Sequence, residues 1–345
     1  MFMLISEFDF ELPTELIAQV PLQQRESSRM LAVDRHHRTF ADSLFADLPL
    51  YLKKGDVLVL NNTRVFPARI FGKTKTGAKI ETFLVRETSA DRWEVLAKPG
   101  RRLKVGTEID FGDRLRAVVI EKLDDGKIIV EFIYDGDLFE ILEKIGVTPL
   151  PPYIKREKGG IDGDRERYQT VFAKTPGAIA APTAGLHFTP EIIDQIKAGG
   201  VELAELTLHV GYGTFEPVRV DDVSKHTVSA EAFEIGVEAA DSLNRARTDG
   251  RRIVAIGTTT TRALETTIAK FDDFVAGQHS ADITITPGYR FQAIDAVLTN
   301  FHLPQSSLLV LTSTFGGYHL IMKAYRHAVE AKYRFYSYGD CMFIS

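Results

Sequence analysis

Three histidines follow short apolar segments and are candidates for proton transfer. His187, His209 and His302 each stand within a few residues of a run that resembles a buried strand. A single histidine in such a place is more often structural, but three in equivalent places favour acid–base chemistry, because imidazole titrates closest to neutral pH. Their dispersed spacing shows no metal-ligand pattern, so no metal site is predicted.

A run of four threonines, 258–261, followed by Arg262, lies between an apolar segment and a helical one. Threonine hydroxyls and unpaired backbone N–H groups at a helix N-terminus suit a carboxylate or a phosphate. The alternative is an ordinary helix cap with a surface arginine. Three carboxylates, Glu231, Asp282 and Asp340, are further candidates, although each is equally well explained as a solvated charge or a cap.

Four cations, Lys98, Arg101, Arg102 and Lys104, stand close together on one loop. Contact with nucleic-acid phosphates is one interpretation of such a cluster, and a solvated turn is the other.

The candidate residues come at the ends of apolar runs, which indicates the elements that must position them. Runs at 56–60, 178–181, 203–208, 252–256 and 296–298 are each followed by a polar cluster, and several then lead into helical sequence. Strands whose carboxyl ends carry polar residues are typical of parallel α/β folds.

The stretch from Arg64 to Asp135 has a different pattern. Short runs rich in Val, Ile and Phe alternate with turns that contain Gly, Pro and Asp, and no helical period intervenes. This pattern predicts a small antiparallel barrel or sandwich. The expected strands lie at 68–71, 79–85, 93–97, 115–120 and 128–133, so the stretch is interpreted as an insertion in an α/β domain.

The composition is that of a globular protein. The chain has 345 residues, 42 Lys plus Arg against 47 Asp plus Glu, and a formal net charge of -5. The one cysteine, Cys341, excludes an internal disulfide and any multi-cysteine metal site. We expect a cytoplasmic protein, because there is no signal-like segment and the densest apolar run, 307–312, is far too short to cross a bilayer.

Several common catalytic motifs are absent from the sequence. It contains no phosphate-binding P-loop, no H-E-x-x-H and no G-x-S-x-G. Gly211 and Gly213 begin a G-x-G pattern, but Glu216 occupies the place of the third glycine that a dinucleotide fingerprint needs.

Taken together, six ordered segments closely resemble the S-adenosylmethionine:tRNA ribosyltransferase-isomerases of queuosine biosynthesis. They span residues 8–13, 60–69, 181–188, 208–215, 299–304 and 333–340. The resemblance implies an α/β fold, a distorted (β/α) TIM-like barrel with an inserted small antiparallel β-barrel domain. The expected boundaries are 1–63 and 153–345 for the catalytic domain and 64–152 for the insert.

The resemblance also implies a reaction. A tRNA-modifying transferase of this family transfers and isomerises the ribosyl moiety of S-adenosylmethionine onto 7-aminomethyl-7-deazaguanine. The acceptor base is at the wobble position of tRNA with a GUN anticodon, and the products are epoxyqueuosine-tRNA, adenine and methionine. No cofactor is expected beyond S-adenosylmethionine, which is consumed as ribosyl donor, and the default assembly is a monomer.

The implied chemistry suggests roles for the candidate residues by their type and position. His187 and His209 are then the expected proton carriers, with His302 as the third candidate. Arg262 with Thr258 and Thr259 is expected to hold the methionine carboxylate or a tRNA phosphate. Glu231 or Asp282 would balance the sulfonium charge, and Glu231 is retained where the family's His-Ser-Glu run reads Ser229-Ala230-Glu231 here. Further expected substrate-binding residues are Arg64, Arg69, Thr183, Gly211, Gly213, Thr214, Asn300, Tyr338 and Asp340, with Lys98, Arg101, Arg102 and Lys104 on the tRNA.

Two other functions are compatible with parts of the sequence. A barrel enzyme acting on a free phosphosugar or nucleoside would also use the threonine–arginine helix start, and it predicts turnover without tRNA. A tRNA-binding or chaperone-like protein without catalysis would account for the basic loop, but it leaves the polar strand ends unexplained.

Overall fold

The computed structural model describes residues 3–112, 114–156, 163–211 and 218–345. The strands are β1 (Arg29–Asp34), β2 (Thr39–Leu44), β3 (Val57–Asn61), β4 (Thr63–Val65), β5 (Arg69–Thr74), β6 (Lys79–Ser89), β7 (Arg92–Lys98), β8 (Glu108–Gly112), β9 (Leu115–Lys122), β10 (Ile128–Ile133), β11 (Thr175–Ala178), β12 (Glu202–Leu208), β13 (Glu231–Ile235), β14 (Ile253–Ile256), β15 (Gly277–Ala281), β16 (Ala296–Asn300) and β17 (Cys341–Ile344).

Helices surround these strands. The α-helices are α1 (Leu48–Tyr51), α2 (Leu138–Ile145), α3 (Asp164–Arg167), α4 (Pro190–Ala198), α5 (Val237–Thr248), α6 (Thr258–Phe271), α7 (Ser307–Gly316) and α8 (Tyr318–Glu330). Short 3-10 helices lie at Ile5–Phe8, Thr14–Leu16, Arg25–Ser27, Phe45–Asp47, Gly100–Arg102, Thr183–His187 and Val223–Lys225. Within the described ranges, no helix is both long and apolar enough to cross a membrane.

Six strands of the predicted insertion form a closed antiparallel barrel in the order β10-β7-β6-β5-β8-β9. Burial alternates along β8 and β9, so every second side chain enters the barrel core, as the period of a strand requires. Phe66 packs edge-on against Trp93 and Phe139 at one end of this core. The antiparallel barrel is confirmed, but β8 is not among the strands expected from the sequence, because its Phe111-Gly112 end has the residues of a turn.

The other large unit is a nine-stranded mixed sheet in the order β15-β13-β12-β3-β14-β16-β17-β1-β2. Its centre, β12-β3-β14-β16, is parallel, as the polar strand ends predicted. Strands β3, β14 and β16 are buried at every position, which is typical of parallel strands covered on both faces.

The described strands of the large unit do not form a TIM-like barrel. A (β/α) barrel needs a closed ring of parallel strands. Here β13, β15 and β17 pair with antiparallel neighbours, and β1 pairs with β2 in the same way, at the flanks of the parallel centre. Antiparallel neighbours need no crossover helix, so a sequence pattern of strands and helices does not by itself determine closure.

The carboxyl ends of the central strands bring the candidate residues to one edge of the sheet. Strand β16 ends at Asn300, and β14 leads through Gly257 directly into α6. Gly257 has a φ of 96°, a left-handed conformation that glycine adopts without strain and that turns the chain from the strand into the helix. A small parallel pair, β4 with β11, lies beside this edge and leads toward the barrel.

Candidate active site

A cavity of about 490 Å³, the main cavity, lies at this edge of the sheet. Cavities of this size hold ligands of drug size. Five predicted site residues line it: Thr183, Thr258, Thr259, Asn300 and His302. The remaining lining consists of neutral residues, with hydroxyl groups from Tyr153, Thr299, Ser306, Ser307, Tyr336 and Ser337. The predicted residues therefore come together in part, in a wall whose described residues carry no formal charge.

Two helices begin at the cavity. Thr258 and Thr259 form the first turn of α6, and their hydroxyls have no hydrogen-bond partner among the described residues. Ser306 caps α7 by accepting a hydrogen bond from the backbone N–H of Leu309 at 3.2 Å. The unpaired N–H groups and the dipoles of two helix N-termini make this wall favourable for an anion.

His302 is the histidine that lies in the cavity wall. Its Nε2 is 2.9 Å from Oγ1 of Thr299, and its backbone N–H donates to the Tyr325 hydroxyl at 3.1 Å. Burial lowers the pKa of the imidazole to about 3, because the protein interior disfavours the charged form. His302 is therefore neutral at pH 7, and a pKa this low makes it a weak base as long as its surroundings stay as they are here.

His187 lies behind the wall, in contact with Asn300. Its Nδ1 is 2.9 Å from Oγ of Ser28, and its Nε2 is 3.2 Å from Nδ2 of Asn300. Burial lowers the pKa of His187 to about 3, and the nearby charges of Arg25 and Arg334 act in the same direction. His187 is thus a neutral acceptor for the Asn300 amide and does not line the main cavity.

The Asn300 amide is held firmly on its nitrogen side. Besides His187, Nδ2 faces the carbonyl oxygens of Tyr336 and Asp340 at 3.2 and 3.4 Å. These acceptors fix the amide orientation, because a flipped oxygen would face both carbonyls. The oxygen Oδ1 is buried, in a residue that is 3% exposed, and it has no hydrogen-bond partner in the described structure. An unpaired oxygen beside a cavity is a place for a ligand donor.

His209 follows the end of β12 and does not line the cavity. Its Nδ1 is 2.8 Å from Oγ1 of Thr63, and its ring lies so close to Gly177 that a Cβ there would approach within 2.6 Å. Burial lowers the pKa of His209. The neighbouring residue Val210 lines the cavity in its place. In this structure His209 therefore connects β12 to the β4–β11 pair.

Arg262 and Glu231 form a buried ion pair away from the cavity wall. The Arg262 Nη1 to Glu231 Oε2 distance is 2.6 Å, and the two side chains are 5% and 6% exposed. The other Arg262 nitrogens donate to the carbonyl oxygens of Ser229, Ala281 and Ile283. This pairing fixes α6 to the segments around β13 and β15. Asp282 instead pairs with Lys270 at 2.8 Å on the surface.

The remaining predicted residues are dispersed. Arg64 pairs with Glu143 of α2, and Arg69 is 3.4 Å from Glu81 inside the barrel domain. Asp340 is buried and accepts from the backbone N–H groups of Arg29 and Arg334, while burial raises its pKa. Tyr338 is buried beside a smaller recess next to the main cavity.

The last of the predicted site residues lie in the glycine-rich segment and in the basic loop. Gly211 is described and has open space around it, whereas Gly213 and Thr214 lie outside the described residues. Lys98, Arg101 and Lys104 are exposed on the barrel domain; Arg102 ends the Gly100–Arg102 turn, and its side chain lies outside the described part.

Several lining residues are not among those expected from the sequence. Ser306 and Ser307 have a recognisable signal, since a serine directly before an apolar helical run is a typical N-cap. Tyr153 and Tyr336, whose ring centroids are 3.9 Å apart, gave none, because they come from distant parts of the chain.

Comparison with known proteins agrees with the motifs. A family model described as queuosine biosynthesis protein matches residues 5–344. The chain is also similar to the crystal structure of an S-adenosylmethionine tRNA ribosyltransferase from Thermotoga maritima, with 35% sequence identity and a TM-score of 0.56, covering 99% of this chain and 100% of that one. The resemblance inferred from the six segments is thereby confirmed. The chain belongs to the queuosine biosynthesis protein family.

Proposed function

We propose that this protein is an S-adenosylmethionine:tRNA ribosyltransferase-isomerase. It transfers and isomerises the ribosyl moiety of S-adenosylmethionine onto 7-aminomethyl-7-deazaguanine at the wobble position of tRNA with a GUN anticodon. The products are epoxyqueuosine-tRNA, adenine and methionine. The observation that carries this proposal is the cavity that combines a neutral histidine with two helix N-termini, in a chain that matches the family over residues 5–344.

The walls of the cavity suit the parts of the donor. The methionine carboxylate is expected at the N-termini of α6 and α7, where Thr258, Thr259 and Ser307 offer hydroxyl and N–H donors. No carboxylate lines the described cavity, so the sulfonium charge is expected at the aromatic rings of Tyr153 and Tyr336. A cation over such a ring is stabilised by its negative face. This assignment replaces Glu231 and Asp282 in that role.

The chemistry requires proton transfers that a cavity histidine can perform. The sulfonium acidifies the adjacent C5′ hydrogen, which a base must remove, and adenine leaves more readily when an acid protonates it. We assign the first role to His302, because it is the histidine that lies in the cavity wall, within reach of a bound donor. Asn300, oriented by His187, offers Oδ1 to a substrate N–H or O–H group. No covalent enzyme intermediate is needed, because the acceptor amine is on the RNA.

The RNA is expected to reach the cavity from the side of the barrel domain. Lys98, Arg101 and Lys104 are exposed there and can contact phosphates of the anticodon stem-loop. The protein is proposed to act as a monomer, with S-adenosylmethionine as consumed donor and no additional cofactor.

One assay tests the reaction. The protein is incubated with S-adenosylmethionine labelled in the ribose and with tRNA that carries the aminomethyl deazaguanine, and label in RNA is measured together with released adenine. The proposal predicts equal amounts of both, only with the modified tRNA. Adenine release without tRNA would indicate an enzyme of free nucleosides. Binding of tRNA that ignores S-adenosylmethionine, with no label transferred, would indicate a non-catalytic RNA-binding protein.

A further inference from the structure

A second cavity, of about 550 Å³, lies where α2 of the barrel domain meets the large domain. We call it the junction groove. Its polar and charged lining includes Arg25, Arg64, Glu143, Arg165, Glu166 and Thr170. The proposed chemistry leaves this groove unused, since none of these residues lines the main cavity.

Positive charge exceeds negative charge among the described residues that line the junction groove. Arg64 and Arg165 both pair with the single carboxylate of Glu143. Arg25 instead donates to the carbonyl oxygens of Leu186 and Glu166, at 2.9 and 3.3 Å, and forms no ion pair within the described residues. The three lining arginines thus face two lining carboxylates, Glu143 and Glu166.

A fourth arginine adds to this excess. Arg167 donates to the carbonyl oxygens of Leu22 and Gln23 and, like Arg25, has no carboxylate partner in the described part of the chain. Its charge lies close enough to lower the pKa of Arg25, after the larger effect of burial. Among the described residues that line the groove and the adjoining recess, four guanidinium groups stand against two carboxylates, an excess of two positive charges that an anionic ligand would neutralise.

Two buried hydroxyls at these surfaces lack a partner. Thr170 lines the junction groove and Tyr338 lines the adjoining recess, and each residue is 5% exposed. Neither Oγ1 of Thr170 nor the Tyr338 hydroxyl has a hydrogen-bond partner among the described residues. Burial raises the pKa of Tyr338, so its hydroxyl remains protonated and can donate. Unpaired buried donors beside a positive groove are independent evidence for a ligand with acceptor oxygens.

The junction groove, the recess and the main cavity form a continuous series. Arg25 lines both the groove and the recess, and Ser337 lines both the recess and the main cavity. An enzyme that modifies a base takes that base out of its stack and into the site. The phosphates that flank the base then lie along the surface that leads to the cavity.

We propose that the junction groove binds the phosphodiester backbone of the RNA beside the modified nucleotide, with Arg25, Arg64 and Arg165 along the groove and Arg167 and Tyr338 at the recess. This inference rests on the proposed function for the identity of the RNA. The groove positions the RNA and takes no part in bond making, so its loss affects RNA affinity and leaves the donor site intact.

Equilibrium binding of the modified tRNA, followed by fluorescence anisotropy at several salt concentrations, tests the proposal independently of turnover. Arg25→Gln and Arg165→Gln are each expected to weaken binding roughly tenfold and to reduce the slope of log K against log salt by about 0.7 to 0.9. Tyr338→Phe is expected to weaken binding about fivefold while the melting temperature stays the same, because the hydroxyl has no protein partner to lose.

Arg245→Gln is the matched control, since Arg245 is 63% exposed on α5 and lines neither the groove nor the recess; it should leave RNA affinity unchanged. Inorganic phosphate should compete with RNA for the wild type and less so for Arg25→Gln. Unchanged RNA affinity in Arg165→Gln and Tyr338→Phe would overturn the proposal. A raised KM for S-adenosylmethionine in these variants, together with normal RNA binding, would also overturn it, because the groove would then bind the donor. If the wild type transfers no label, the proposed function is refuted. The junction groove would still be an RNA-binding site if the variants bind RNA more weakly than the wild type.

Discussion

Asn300 donates its side-chain N–H to Nε2 of His187 over 3.2 Å, so the histidine supports the cavity wall from behind. Because Nε2 accepts, the imidazole proton is on Nδ1 and is donated to Oγ of Ser28 at 2.9 Å. Ser28 in turn donates to the carbonyl oxygen of Arg25 at 3.0 Å. This chain of hydrogen bonds fixes the tautomer of His187, which in turn fixes the Asn300 amide.

The first prediction separates orientation from proton transfer at His187. In His187→Gln, the new amide oxygen can still accept from Asn300, so kcat and the KM for S-adenosylmethionine should stay within about threefold of the wild type. In His187→Leu, a buried N–H loses its acceptor, which costs about 1 to 3 kcal/mol and should lower kcat/KM by roughly tenfold or more. Equal and severe inactivation of both variants would instead identify His187 as a proton carrier.

The second prediction concerns the ion pair of α6. Glu231→Gln leaves the buried Arg262 guanidinium without its counter-charge and should lower the free energy of unfolding by about 3 to 5 kcal/mol, measured by urea denaturation. Asp282→Asn is the control: its exposed pair with Lys270 should contribute less than about 1 kcal/mol. A Glu231→Gln variant that is fully stable but inactive would support a catalytic carboxylate.

The third prediction is a pH dependence of stability. The pKa of His302 is lowered from 6.5 to about 3 by folding, so the unfolded chain binds more protons between these values. The contribution of His302 to the free energy of unfolding is therefore highest above pH 6.5. It decreases as the pH falls, by about 2 kcal/mol at about pH 5. Wild-type protein should lose that much more unfolding free energy than His302→Gln between neutral pH and about pH 5. Parallel curves for the two proteins would contradict a neutral buried imidazole.

The parallel centre of the sheet and the antiparallel barrel could be predicted because both have strong local patterns. Strand β16 and the turn before α6 are visible as an apolar run followed by polar residues, and Asn300 and Thr258 were found in this way. Strand β8 was missed because its Phe111-Gly112 end resembles a turn. Closure of the large sheet depends on strand pairing, which local sequence does not encode.

The roles of individual side chains were harder to predict than their positions. Arg262 follows the threonines in sequence, but on α6 it lies a full turn beyond Thr258, where it reaches Glu231. His209 and Val210 are adjacent, and alternation along an extended chain allows only one of them to face the cavity. A shift of one position along the chain therefore decides whether a side chain contacts the substrate or supports the fold.

The most direct test of the central claim, that the donor reacts beside His302, is the release of tritium from C5′ of S-adenosylmethionine into water. The wild type with modified tRNA should release tritium together with adenine. His302→Gln should release it at least about 100-fold more slowly while still binding tRNA, since a positioned base contributes that much or more. His327→Gln, which alters a histidine on α8 paired with Asp42, should behave as the wild type. Tritium release at the wild-type rate from His302→Gln would contradict the role of His302 as the base.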